Sequence, residues 1–152
     1  TMRVFPRLFL LTLFLAGCAL QPSGNTALGN PETVVPRIAE LFSRCELDAL
    51  VGRYLAAVEF VSPSTPKPLF GRESIHGYFA GACKGTMRPI MKVENQRVKV
   101  LSATSVVITG TYSFGRTDRP NDKPWPAFFV ITATAEGSEW LINSQATFPI
   151  PE

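Results

Sequence analysis

The chain has 152 residues, about the length of one domain, so these residues are too few for a multi-domain enzyme. Hydrophobic residues make up 45% and charged residues 18%, a balance that supports a packed core and excludes a largely disordered chain. Its 15 Lys and Arg against 12 Asp and Glu form no run of like charge, which argues against a nucleic-acid partner.

The first residues have the pattern of an export signal. Arg3 and Arg7 precede a short apolar stretch, 8–15, and the small residues Ala16 and Gly17 precede Cys18. The ending Leu-Ala-Gly-Cys resembles the lipobox of bacterial lipoproteins. That resemblance implies that 1–17 is a signal peptide and that the Cys18 thiol carries diacylglycerol, with a further acyl chain such as palmitate on its amino group. The alternative is an ordinary signal peptide in which Cys18 is incidental.

The residues after Cys18 are expected to form a flexible tether. The stretch 18–32 mixes Gly, Pro, Asn and Ser without periodicity, and the folded domain is predicted to be 33–152. Two or three acyl chains anchor a protein stably, whereas one does so marginally. The residue after Cys18 is Ala19 rather than Asp. This resembles the pattern of lipoproteins that are exported to the outer membrane. We therefore expect a lipid-anchored protein of the bacterial cell envelope that faces the periplasm.

Two cysteines remain in the expected domain, Cys45 and Cys83. Disulfides persist outside the cytoplasm, so a single bridge between them is one possibility. The alternative is a pair of buried thiols that pack as small hydrophobic groups. With His76 as the one histidine, the spacing matches no metal-site pattern, and we expect neither a metal nor a cofactor.

The first half of the domain is predicted to be mainly helical. Apolar residues recur at helical spacing over 34–44 and again over 47–55, which predicts two helices. Residues 58–61 form a brief strand, and three prolines make 62–68 an irregular loop. A third helix begins at Gly71.

Beyond Pro89 the period changes from helical to alternating. Strands are predicted over 91–101, 106–114, 128–135 and 140–148, and the prolines and aspartates of 116–126 predict a wide hairpin loop. Helices followed by a long antiparallel meander indicate an α+β fold.

The ordered set of motifs resembles the nuclear transport factor 2-like superfamily. These motifs are P-L-F-G-R-E-S-I-x-x-Y-F, then R-V-x-V-L-x-x-x-x-V-V-x-x-G-x-Y-x-F, then W-L-I near the end. The most similar branches are the SnoaL-like polyketide cyclases and the association domain of calcium/calmodulin-dependent protein kinase II. The resemblance covers about 33–148. It implies a cone of strongly curved antiparallel sheet around three N-terminal helices, a pocket at the open end, and a homodimer formed through the outer sheet face.

Enzymes of this superfamily place a carboxylate or a histidine deep in the cone, often on the last strands. Here 143–147 reads N-S-Q-A-T, and no side chain in it titrates near neutral pH. Ser144 and Ala146 are expected where relatives place such groups. The remaining candidates for a catalytic acid or base are Glu59, which in a strand would otherwise face water, and His76, which would otherwise lie on the surface.

A set of aromatic residues, with Ser144, is expected to line a ligand cavity or else to form the core. The set is Tyr54, Tyr78, Phe79, Tyr112, Phe114, Trp125, Phe128, Phe129 and Trp140.

Three functions follow from these expectations. The first is a non-catalytic, lipid-anchored module that binds a small apolar ligand or assembles with other proteins. The second is an envelope enzyme of the SnoaL-like cyclase or isomerase type that uses Glu59 or His76 on a small apolar substrate. The third is an accessory subunit of an envelope complex, for which the tether gives reach.

Overall fold

The structure, a computed structural model, describes residues 27–151. The predicted signal peptide 1–17, Cys18 and the first part of the tether lie outside this range. Three α-helices are present in the described chain: α1 (Val34–Ser43), α2 (Leu47–Val51) and α3 (Gly71–Gly81). A short 3-10 helix, Pro31–Thr33, precedes α1. Apolar residues at a spacing of three and four bury one face of α1, including Val34, Ile38 and Leu41. Within residues 27–151 no helix is both long and apolar enough to span a bilayer.

Six strands of the described residues form one curved sheet in the order β2-β1-β6-β5-β4-β3. Neighbouring strands are antiparallel except β1 and β6, which run parallel. The strands are β1 (Tyr54–Val61), β2 (Leu69–Phe70), β3 (Pro89–Ser102), β4 (Ser105–Arg116), β5 (Trp125–Glu136) and β6 (Glu139–Pro149).

The core lies between the helices and the inner face of the sheet. Alternation along β5 turns Ala127, Phe129 and Ile131 inward and leaves Phe128 and Val130 exposed on the outer face. Helix α1 packs on β3, and α3 packs on β1. The α+β cone predicted from the sequence is therefore confirmed.

Close backbone contact marks the centre of the curved sheet. A Cβ on Gly110 of β4 would lie 2.2 Å from the carbonyl oxygen of Asn95 and 2.8 Å from Cζ of Phe129. The register between β3 and β4 shifts between Val93 and Asn95, which is a bulge. Bulges bend a strand and increase its twist, and a strand glycine permits such a close approach.

Two expectations about β1 were wrong. The second helix ends at Val51, before the predicted residue 55, and Tyr54 begins a strand of eight residues. Gly52 ends the helix, and the apolar residues that follow also fit an alternating pattern, because Tyr54, Val58 and Phe60 point inward. The sheet is also not wholly antiparallel, since β1 returns beside β6 in parallel.

The segment immediately before the expected domain packs against it. The N–H of Gly29 donates to the carbonyl of Ser138 at 2.9 Å, and Nε1 of Trp140 donates to the carbonyl of Gly29 at 2.7 Å. Nε2 of Gln96 donates to the carbonyl of Glu32 at 2.7 Å. Residues 29–32, assigned to the tether from the sequence, are therefore held by the folded domain.

Candidate functional site

A cavity of about 310 Å³ occupies the open end of the cone. Its walls are mostly apolar and aromatic, which is typical of sites for small organic molecules. Helices α1, α2 and α3, the loop after β1, and strands β1, β3, β4, β5 and β6 all contribute. The lining residues are Ile38, Phe42, Leu50, Tyr54, Phe60, Ser62, Pro63, Ser64, Tyr78, Phe79, Met91, Tyr112, Phe114, Trp125, Gln145 and Thr147.

An array of four polar side chains lies in this apolar wall. The Tyr54 hydroxyl donates to Oε1 of Gln145 at 2.8 Å, and the hydroxyls of Tyr112 and Thr147 are hydrogen-bonded to each other. All four side chains are buried, with Gln145 only 4% exposed. Buried polar groups need such partners because an unpaired one loses its hydration without compensation. We call these four residues the floor array.

Burial keeps both phenols of the floor array protonated. Burial raises the pKa of Tyr54 well above its ordinary value, and the neighbouring Tyr112 and Tyr78 act in the same direction. Burial also raises the pKa of Tyr112 to about 12, although hydrogen bonds with Thr147 and Gln145 oppose that rise. Both hydroxyls therefore stay neutral throughout the physiological pH range, and the Tyr54 hydroxyl hydrogen is donated to Gln145.

A second polar cluster borders the cavity near solvent. The hydroxyls of Ser62, Ser64 and Tyr78 lie 2.9 Å from one another in a closed triangle. The proline-rich loop 62–68, predicted as irregular, supplies the two serines. Because each of these hydroxyls both donates and accepts, the cluster is matched to neutral polar groups.

Most of the predicted aromatic lining faces the cavity. Tyr54, Tyr78 and Phe79 line it, as do Tyr112, Phe114 and Trp125. Four expected members are placed elsewhere. Phe129 is buried in the core, where its ring stacks on that of Tyr112 with centroids 4.8 Å apart. Phe128 is 46% exposed on the outer face, and Trp140 is buried with its indole bonded to Gly29. The hydroxyl of Ser144 lies 2.7 Å from that of Thr132, on the face of β6 opposite to Gln145.

Neither candidate acid or base lines the cavity. Glu59 is exposed, because Val58 and Phe60 on either side of it point inward. Nε2 of His76 lies 3.4 Å from Oδ1 of Asp48, whose side chain is fully exposed. Both residues therefore have the surface placement that the sequence allowed as an alternative. None of the described cavity-lining residues is an Asp, Glu, His, Lys, Arg or Cys.

The sequence reasoning missed the two polar residues of β6 that do line the cavity, Gln145 and Thr147. The register with β5 pairs Thr132 with Ser144 but Ala133 with Ile142, so Asn143 is an extra residue that forms a bulge. The bulge reverses the alternation of every later side chain. The resemblance to relatives led us to expect Ser144 and Ala146 there, which agrees with strict alternation from Trp140, and no local signal in N-S-Q-A-T marks the reversal.

A disulfide between Cys45 and Cys83 holds the helical wall of the cavity together. The two Cα atoms are 5.8 Å apart, within the usual span of such a bridge. Cys45 follows α1 in the left-handed region with φ 55°, and Cys83 follows α3. The bridge therefore ties the α1–α2 turn to the end of α3. Among residues 27–151 no three His, Cys, Asp or Glu side chains are grouped to hold a metal ion.

Known proteins resemble this chain in structure rather than in sequence. No family model matches the sequence, and no curated protein matches it significantly. An NTF2-like family protein from Streptomyces avermitilis, assigned as a dehydratase, is 16% identical with a TM-score of 0.69, over 80% of this chain and 94% of its own. The chain has the nuclear transport factor 2-like fold.

Two further solved structures share this fold. A protein from Xanthomonas campestris that is described as a calcium/calmodulin dependent protein kinase II association domain is 17% identical to this chain. Its TM-score is 0.68, over 80% of this chain and 86% of its own. A protein from Novosphingobium aromaticivorans that is described as a scytalone dehydratase is 11% identical. Its TM-score is 0.69, over 79% of this chain and 81% of its own. At such identities the likeness establishes the fold and leaves function to be argued from the cavity.

Proposed function

We propose that this chain is a lipid-anchored protein of the bacterial cell envelope whose cone binds a small, largely apolar molecule without chemically changing it. The part of the ligand inside the cone carries no charge, because the cavity offers no counter-charge. Its inner end carries one hydroxyl, carbonyl or similar neutral group, which the floor array would bond.

The observation that carries this proposal is the combination of the floor array with the lack of an ionisable base in the described cavity. General acid–base catalysis needs a group whose pKa lies near the working pH. The two phenols have pKa values raised above 10, so they donate hydrogen bonds but do not abstract protons near neutrality. The cavity is therefore equipped to recognise a ligand and lacks the usual means of transforming it.

An envelope enzyme of the SnoaL-like cyclase or isomerase type is the second candidate. It is supported by the two structural neighbours assigned as dehydratases, because they share the fold of this chain. In this chain such chemistry would depend on polarisation of a substrate carbonyl by the hydroxyls of Tyr54 or Tyr112. Substitutions at Glu59 and His76, both away from the cavity, would leave it unchanged.

Export to the envelope is supported by two independent features. The lipobox-like ending at Cys18 indicates attachment to lipid, and the Cys45–Cys83 bridge suits an oxidising compartment. The proposed placement at the outer membrane, facing the periplasm, is supported by Ala19 after the cysteine. The tether residues before Gly29 would let the cone stand away from the bilayer.

The expected homodimer remains a proposal with a defined surface. Phe128 and Phe148 are paired across β5 and β6 on the outer face, beside Val130, and each is more than 40% exposed. Burial of these side chains against a second copy would remove apolar surface from water. Sedimentation of wild type and Phe128→Asp measures this directly.

The proposed function is tested by binding of 1-octanol to the full chain, measured by calorimetry in one nonionic detergent. Ser64→Trp should abolish binding, because Ser64 lines the cavity near solvent and an indole there would close the mouth. Ala103→Trp is the matched control, since residue 103 is exposed in the turn at the far end of the β3–β4 hairpin. Equal affinities in the two variants would overturn the proposal.

A screen for turnover separates the two candidates. Cyclic ketones and hydroxy ketones of similar size should be recovered unchanged after incubation with the protein. Turnover that is lost in Tyr54→Phe or Tyr112→Phe, but kept in Glu59→Gln and His76→Asn, would establish the enzyme.

A further inference from the structure

A second cavity, of about 240 Å³, lies beside the mouth of the cone. The two cavities share Phe114 and Trp125, whose rings are stacked with centroids 5.6 Å apart. Trp125 is 44% exposed, so it stands at the boundary between the cone and solvent. A ligand that emerges from the cone past Trp125 therefore meets the second cavity first.

The second cavity differs from the cone in its charge. The wall contains Arg116, at the end of β4, and Arg119, Asp122 and Lys123 from the β4–β5 loop. Arg116 is already neutralised, because it bonds Asp118 through Nε at 2.9 Å and through Nη2 at 2.7 Å. These bonds hold the pKa of the Asp118 carboxyl below its usual value, so the pair stays charged and balanced.

The other two cations are not balanced in this way. The nearest approach of Arg119 to Asp122 is 3.9 Å, at the outer limit of an ion pair. Lys123 makes no ion pair and no side-chain hydrogen bond with any residue in the range 27–151. One positive charge is therefore in excess at the mouth, and a guanidinium and an ammonium are available for an anion.

We propose that the second cavity binds an anionic group at the outer end of the ligand, so that the ligand is an anionic amphiphile. This inference rests on the proposed function, because the apolar body of the same molecule would occupy the cone. Arg119 and Lys123 contact the carboxylate or phosphate, and the stacked rings of Phe114 and Trp125 cover the chain that joins the two parts. A cationic head group is repelled there, and a neutral one gains no ion pair.

The test compares octanoate, its uncharged methyl ester and octylamine, each titrated into the full chain in the same nonionic detergent. Octanoate should bind most tightly, and added salt should reduce its advantage over the ester because exposed ion pairs are screened. The double variant Arg119→Gln/Lys123→Gln should weaken octanoate about three- to tenfold, as expected for two exposed ion pairs, and leave the ester unchanged.

The matched control removes the same charge elsewhere. Arg97 and Lys99 are exposed on β3 and line neither cavity, so Arg97→Gln/Lys99→Gln should leave octanoate binding unchanged. An equal loss in both double variants would mean that only net charge matters, and would overturn the inference. Equal binding of octanoate and its ester, or failure of all three probes while 1-octanol still binds, overturns the inference alone. Failure of 1-octanol as well overturns the proposed function with it.

Discussion

Gln145 connects the stability of the cone to its recognition chemistry. Its Oε1 accepts from Tyr54, and its amide lies beside the Tyr112 phenol, so one side chain serves two buried hydroxyls. The neighbouring Ser144 has its partner, Thr132, on the opposite face of the sheet. The bulge at Asn143 alone decides which of the two adjacent residues faces the cavity.

Gln145→Leu should therefore destabilise the protein by about 1 to 3 kcal/mol, because a buried hydroxyl loses its acceptor. Ser144→Ala, one residue away, should cost less than about 0.5 kcal/mol, as expected at a half-exposed site. Urea unfolding of both variants measures the difference. Equal losses of unfolding free energy in the two variants would contradict the inward orientation of Gln145.

Strands β3, β4 and β5 come into close contact around Gly110, where the sheet bends. Gly110 lies on the inner face of β4 among residues that would collide with any side chain there. At Gly77, in the middle of α3, no atom outside the adjoining helix backbone and chain neighbours lies within 4 Å of the position that a Cβ would take. A side chain at Gly110 would therefore disturb packing, whereas a side chain at Gly77 would change only the helix propensity of α3.

Gly110→Ala should destabilise the protein by roughly 1 to 3 kcal/mol through overpacking against Asn95 and Phe129. Gly77→Ala should stabilise it by about 0.5 to 1 kcal/mol, because alanine favours an exposed helix interior. Thermal unfolding distinguishes the two signs. A neutral Gly110→Ala would mean that β3 and β4 separate more easily than the close contact implies.

The helical wall of the cavity depends on its disulfide. The bridge spans a sequence separation of 38 residues, for which chain-entropy arguments give roughly 3 to 4 kcal/mol. Cys45→Ser/Cys83→Ser should lose about this much stability and should weaken 1-octanol binding, since α1 and α3 would no longer be tied. Non-reducing mass spectrometry of wild type should give a mass two hydrogens below that of the reduced form. Two freely alkylated thiols in the oxidised protein would rule this out.

Apolar periodicity predicted most helices and strands, because a repeat of about 3.6 or two residues can be recognised even where the ends of the element are uncertain by a few residues. It failed at Tyr54, where the same apolar residues fit both a helix and a strand, and only the pairing with β6 decides. It failed again after Asn143, because a bulge is a property of two strands in register. The cavity aromatics could be predicted as a class, whereas the inward turn of Gln145 and Thr147 required the fold.

At the scale of the whole molecule, we propose a ligand-binding cone attached to a lipid anchor. Residues 29–32 are held by Ser138, Trp140 and Gln96, so the free tether would be shorter than the sequence suggested. The proposed anchor depends on a single thiol, that of Cys18.

Cys18→Ser should remove lipid from the protein, because the lipobox-like ending offers no other acylation point. Metabolic labelling with a fatty-acid analogue measures the lipid on wild type and variant. Equal labelling of the two proteins would contradict lipid attachment at Cys18.

A crystal structure of the protein with 1-octanol tests the central claim most directly. We predict that the alkyl chain lies in the cone and that the hydroxyl oxygen lies about 2.8 Å from Gln145, Tyr54 or Tyr112 of the floor array. An empty cone, or an alcohol bound only on the outer face of the sheet, would contradict the account.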